Sequence, residues 1–220
     1  MRSTDANARR TGASKTVRGT GADAVDGDMT EQNAADVDPE SYAEELRRKR
    51  EEKDDFFGSH PQSPIPPEER DAFDGLDYFD PNPDARVEAT VSVHEDPEPV
   101  PMETTAGDEV RYLRLVTFSF ELRGEAVELH GYQQEREDDE AVFVPFRDKT
   151  TGQQSYRNGR YIELHPDEPL ADSETVVLDF NLAYTPFCAY SETFACPLPP
   201  EENWLDVAVG AGERDWNSTN

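Results

Sequence analysis

From Ala85 onward, apolar and polar residues alternate along the chain with a period of two. Val110, Tyr112, Val116, Phe118, Phe120 and Leu122 fall on one face of an extended segment, with Arg111, Thr117, Ser119 and Glu121 on the other. That alternation predicts a long, half-buried β-strand. Val127 and Leu129 continue it beyond Arg123-Gly124, so the two runs predict a hairpin. Further strands are expected over 141–146, 160–164, 175–180 and 205–209. Upstream the pattern changes. Asp38-Pro39 suits a helix cap and first helical residue, and Gly58 suits a stop, which predicts a helix of about 18 residues. Tyr42, Leu46 and Phe56 are its expected docking residues. Glu44–Arg48, Glu45–Lys49, Arg47–Glu51 and Arg48–Glu52 stand four apart as surface pairs, so Arg47-Arg48-Lys49-Arg50 is a neutralised, solvated face rather than a nucleic-acid patch. Pro61, Pro64, Pro66, Pro67, Pro81 and Pro83 punctuate an extended arm, which Leu76, Tyr78 and Phe79 pin to the core. Many short strands and one helix predict a mainly β protein: an antiparallel sandwich or open barrel with one N-terminal helix and proline-rich arms.

The 220 residues suit one domain with tails. Residues 1–28 carry five basic residues against four acids and no aromatics, and every aromatic residue of the chain falls at or after Tyr42. The expected organisation is a disordered leader over 1–37, a single β-rich domain over 38–216 and a tail over 217–220. Met29, where the composition breaks, is read as an alternative translation start.

Charge narrows the function classes. Asp and Glu number 49 against 21 Lys and Arg, a net −28. Such a surface repels phosphate backbones and anionic lipid, so neither a nucleic acid nor a membrane is expected as partner. No run reaches the roughly 18 apolar residues of a membrane helix, and no apolar stretch follows Arg9-Arg10, so a cytoplasmic protein is expected. Only four of the basic residues are Lys (Lys15, Lys49, Lys53, Lys149). This acid-rich, Lys-poor balance suits a halophilic cytoplasm, where about 1 M salt cuts the screening length to roughly 3 Å and suppresses self-repulsion.

Candidate chemistry concentrates between residues 146 and 196. Asn158-Gly159 is a two-residue hairpin signal that sets Arg157 opposite Arg160. Like charges directly opposite are destabilising, so an anion is expected between or beside them, with Arg147 as a third cation. Equally, Asp148, Asp179 or another acid could satisfy these guanidiniums. Asp179 and Asn181 share one face at a strand end, where Asp179 suits a base and Asn181 a hydrogen-bonding finger. Tyr156, Tyr161, Tyr184 or Tyr190 could line the pocket, although an Asp and an Asn at a strand end also commonly bind turn amides. Cys188 and Cys196 admit three readings: packed thiols, a disulfide, or a metal or redox site that would need His130 and His165 from distant strands. No phosphate-cradling glycine loop, zinc-protease pair or nucleophile elbow occurs, and no cofactor is expected.

Several of these stretches together resemble the domain of unknown function 1684 family of bacterial and archaeal proteins. The likeness lies in Phe146-Arg147-Asp148, Thr151-Gly152, Tyr156, Gly159-Arg160-Tyr161, Asp179-Phe180-Asn181-Leu182-Ala183-Tyr184, Cys188-Ala189-Tyr190, Cys196-Pro197-Leu198-Pro199-Pro200, Glu202-Asn203 and Ala211-Gly212-Glu213, over about residues 40–214. It implies a compact single domain and carries over no activity. The residues themselves suggest a small anionic molecule held by Arg147, Asp148, Tyr156, Arg157, Arg160, Asn181 and Tyr184. Asp179 would be the base of a cofactor-free hydrolysis or proton transfer. The alternatives are a noncatalytic structural or protein-interaction module, and a metal or redox site on the two cysteines.

Overall fold

Alternating residues on both sides of one sheet decide how this chain packs. The computed structural model describes residues 37–135 and 141–216; the expected leader apart from Val37, and the tail, lie outside them. A helix α1 (Pro39–Ser59) precedes six strands, β1 (Arg86–Glu103), β2 (Glu109–Leu122), β3 (Glu125–Gln134), β4 (Val142–Phe146), β5 (Arg160–Leu164) and β6 (Thr175–Asp179). They form one antiparallel sheet in the order β5-β4-β3-β2-β1-β6, curled into a half-barrel. Among the described residues, no helix is long and apolar enough to cross a membrane.

Local chemistry explains most boundaries. The Asp38 carboxylate accepts from the Ser41 amide at 2.9 Å and Pro39 opens α1. Arg123 and Gly124, at φ 54° and 80°, make the tight reversal between β2 and β3, the backbone that a two-residue hairpin requires. β1 carries Pro97, Pro99 and Pro101. β6 pairs only with Arg86–Thr90, so the proline-bearing half lies beyond that ladder, where a missing amide costs least.

The two sheet faces bury different clusters. Val142, Val144, Phe146 and Ile162 join Phe118, Leu129 and Leu178 in the inner core. Phe143 and Tyr161, one residue out of phase, point to the outer face with Tyr132 and Met102. The expectation that Val110 and Tyr112 share a face with Val116–Leu122 is corrected here. Against β3, Arg114 pairs with Tyr132 and Val116 with Gly131, leaving Leu115 as a bulge. One extra residue re-aims Tyr112 onto the outer face.

Residues 205–209 are a second correction. Leu205, Val207 and Val209 do alternate into the inner core. Their backbone-to-backbone bonds run to the loop after β4, through Leu205 N–H to Arg147 O (2.8 Å) and Lys149 N–H to Val207 O (3.1 Å), and no strand forms. On α1, Phe57 rather than Phe56 is the fully buried ring, packed on Ile65, Leu76, Phe187 and Tyr190.

Candidate functional site

The loop between β4 and β5 carries most of the expected site, and it folds differently from a two-residue hairpin. Gly159 N–H bonds to Tyr156 O at 3.0 Å, so Arg157-Asn158 form the centre of the turn and Gly159, at φ +95°, leads into β5. Arg157 is therefore exposed at a loop tip while Arg160 is buried as the first residue of β5. The expected side-by-side guanidiniums do not form.

Arg160 is only 1% exposed and its charge is already answered. Its Nη2 donates to Asp148 Oδ2 (2.7 Å) and Val209 O (2.9 Å), and its Nη1 to Glu213 O (3.0 Å) and to Ala211 O. Burial pulls its pKa below the usual guanidinium value, and the Asp148 charge opposes that pull. Asp148 in turn accepts at Oδ1 from the amide and hydroxyl of Thr150, each at 2.5 Å. The pair stitches the C-terminal segment to the sheet. Arg147 lies apart from it, with its guanidinium carbon 4.8 Å over the Trp204 ring.

Asp179 and Asn181 form a second structural node. Asp179 Oδ2 accepts from the Tyr42 hydroxyl (2.7 Å) and from Arg86 Nε (3.2 Å). Its Oδ1 accepts from the Asn181 amide (2.9 Å) and Nδ2 (3.0 Å). Asn181 also accepts from Asn82 N–H and donates to Asn82 O, both at 2.8 Å. The carboxylate expected to act as a base is thus the anchor of α1 and the arm on the edge strand.

Of the expected residues, Tyr161 and Tyr184 line a shallow, open depression of about 50 Å³ on the outer face. Tyr112, Phe143, Tyr161, Phe187, Pro186 and Pro197 form its apolar walls, with Ala195 and Cys196, and Glu163 is the one charged residue of the lining. The rings brace one another: Tyr112 stacks on Phe143 at 5.4 Å, and Phe143 and Tyr184 meet Tyr161 edge-on at 4.7 and 5.6 Å. The Tyr184 hydroxyl donates to Glu163 Oε1 at 2.6 Å. Burial, then the neighbouring Glu163 charge, pushes the Tyr184 pKa well above its ordinary value, so it remains a donor. Tyr184 also extends the sheet, exchanging backbone bonds with Tyr161 at 3.0 and 2.9 Å.

Cys196, part of this lining, and Cys188 are both free thiols. The Cys188 amide donates to Cys196 Sγ at 3.4 Å, and Tyr156 Oη lies 3.8 Å from Cys188 Sγ. Tyr156 is pushed up to about 12, chiefly by burial. Among the described residues, no group of three or more His, Cys, Asp and Glu side chains is placed to hold a metal ion.

Three polar residues that line the depression or anchor the fold carry no signal of their own in the sequence. Glu163 sits on a strand as an ordinary outward acid. Glu213 accepts from Lys53 Nζ and, at 2.7 Å, from the Thr185 amide, so a buried carboxylate ties α1 to the C-terminal segment. Asn203 bridges β3 and β4, donating to His130 O (2.9 Å) and Pro145 O (2.8 Å) and accepting from His130 N–H (2.8 Å). The last two stood only inside family-like motifs, with no spacing that marks their partners.

Comparison with known proteins places this geometry in context. A family model described as a protein of unknown function (DUF1684) matches residues 71–214. The solution NMR structure of an uncharacterized protein of Haloarcula marismortui is 60% identical, with a TM-score of 0.65, covering 82% of this chain and 97% of that one. No curated protein matches.

Proposed function

Because the chain belongs to the DUF1684 family, whose function is unknown, we propose its role from the outer-face depression: a noncatalytic receptor for a small organic cation with an apolar body. The observation that carries this reading is the composition of the lining, five aromatic rings with Glu163 as its one charged group. Aromatic faces attract cations through their quadrupole, and the partly buried Glu163 carboxylate adds a directional acceptor. The same wall disfavours the anionic ligand expected from the arginines, since Arg160 is spent on Asp148 and three carbonyls. The net charge of −28 would raise the local concentration of cations and discourage nucleic acid or anionic membrane as partners. We place this activity in a salt-rich cytoplasm, a reading supported by the acid-rich composition and by the likeness to the Haloarcula protein.

The test is a fluorescence titration of the full chain, in about 1 M salt to preserve screening, with benzyltrimethylammonium and its neutral isostere neopentylbenzene. The cation should bind more tightly, and Glu163→Gln should weaken it at least fivefold while leaving the isostere unchanged. Equal affinity for both probes, or no effect of Glu163→Gln, overturns the reading.

A further inference from the structure

Cys188 and Cys196 are a pair, and their placement gives them unequal roles. Both are free. Cys188 is half-buried in the turn Phe187–Ala189, while Cys196 is buried against the outer core. The Cys188 amide donates to Cys196 Sγ at 3.4 Å, which brings the buried sulfur against the backbone of the outer cysteine. The Cys196 backbone amide is held by Thr105 Oγ1 at 3.2 Å, which fixes the buried partner while the turn carries the outer one.

We propose that Cys188 and Cys196 form a peroxide-reactive dithiol, with Cys188 the attacking sulfur and Cys196 the resolving one. A hydroperoxide ROOH is the oxidant. The Cys188 thiolate attacks the terminal oxygen, the O–O bond breaks, and a sulfenic acid forms as RO⁻ takes a proton to leave as ROH. The Cys196 sulfur then attacks the Cys188 sulfur. The S–O bond breaks, and hydroxide leaves as water with the Cys196 thiol proton. Two thiols lose two electrons to the peroxide, which ends as alcohol and water, and a disulfide remains.

The electrostatics fit that division. The neighbouring Cys196 thiol brings Cys188 down to about 7 against the opposing effect of burial, with the Tyr156 hydroxyl helping; the proximity of Cys188, and burial, push Cys196 up. At neutral pH Cys188 is therefore far richer in thiolate than an ordinary thiol near 8.5, by roughly tenfold. The inference stands apart from the ligand proposed above, since it needs no molecule in the depression.

The experiment treats the reduced full chain in high salt with stoichiometric hydrogen peroxide and reads intact mass and free thiols. The expected product is a monomer that has lost two hydrogens and both titratable thiols, restored by dithiothreitol. Cys196→Ser should stop at a sulfenic acid on Cys188 that dimedone traps, and Cys188→Ser should leave Cys196 unmodified over the same time. Peptide mapping of the wild-type chain after brief iodoacetamide treatment at pH 7 needs no variant, and should show Cys188 alkylated at least about tenfold faster than Cys196. Equal alkylation, a disulfide between chains, or over-oxidation of either cysteine without an internal disulfide overturns the proposal.

Discussion

Replacing Arg160 with Met removes a guanidinium that is 1% exposed and leaves the side chain of Asp148, itself fully buried, as an uncompensated charge. Breaking a buried ion pair from one side costs about 3–5 kcal/mol. The carbonyls of Val209, Ala211 and Glu213 also lose their donor, and an unsatisfied buried acceptor adds about 1–3 kcal/mol. Against a typical total of about 5–15 kcal/mol, Arg160→Met should lose between about a quarter and all of the stability. Urea denaturation followed by far-UV circular dichroism in about 1 M salt reads this as a fall in midpoint at constant slope. Pairing the change with Asp148→Leu removes the stranded carboxylate, so the double variant should be more stable than Arg160→Met alone by at least ~1 kcal/mol. A loss below ~1 kcal/mol for Arg160→Met would refute the reasoning, because it would mean that this guanidinium is not integrated into the core but free to meet a ligand.

Other expectations follow from separate features. At Gly159 the φ of +95° and a Cβ that would sit 2.6 Å from Phe146 O mean that Gly159→Ala should cost at least about 1–3 kcal/mol by the same denaturation assay. Burial holds the His130 pKa below its ordinary value, with Arg114 and His94 adding to the effect and Glu202 and Glu128 opposing it. The folded chain then binds this proton less readily than the unfolded one. Its contribution is present above pH ~6.5 and is lost as pH falls through the folded value. Denaturation midpoints from pH 8 to 5 should fall more steeply for the wild type than for His130→Gln. Melting followed between low salt and about 1 M salt should show loosening below about 0.5 M, since the screening length grows as salt falls; an unmoving melting point would contradict the charge argument.

What could be read in the sequence was whatever is local. The period-two runs mark β2 to β6 because each side chain's face follows from its parity alone, and Asp38, Pro39 and Arg123-Gly124 act through their own backbone. The Leu115 bulge broke that parity with no residue to announce it, which is why Tyr112 was placed on the wrong face. Asn158-Gly159 misled for the opposite reason. Its local preference was overridden when Arg160 was drawn into the core by acceptors about 50 positions away, at Val209 to Glu213. The Asp179–Asn181 pair was correctly recognised as a candidate for binding turn amides, yet its partners Tyr42 and Asn82 lie on elements whose packing the sequence does not encode locally. The depression depends on Tyr112, Phe143, Tyr161 and Tyr184 arriving from three strands and a loop, so only Tyr161 and Tyr184 could be singled out beforehand.

The most direct measurement is a chemical-shift map of the aromatic and arginine side chains during parallel titrations with benzyltrimethylammonium and with benzoate. The account predicts that the ammonium compound shifts Tyr112, Phe143, Tyr161 and Tyr184 at concentrations where benzoate leaves them untouched, with Arg147, Arg157 and Arg160 unaffected by either. Saturable benzoate shifts centred on those arginines, with no ammonium response in the aromatic wall, would contradict it.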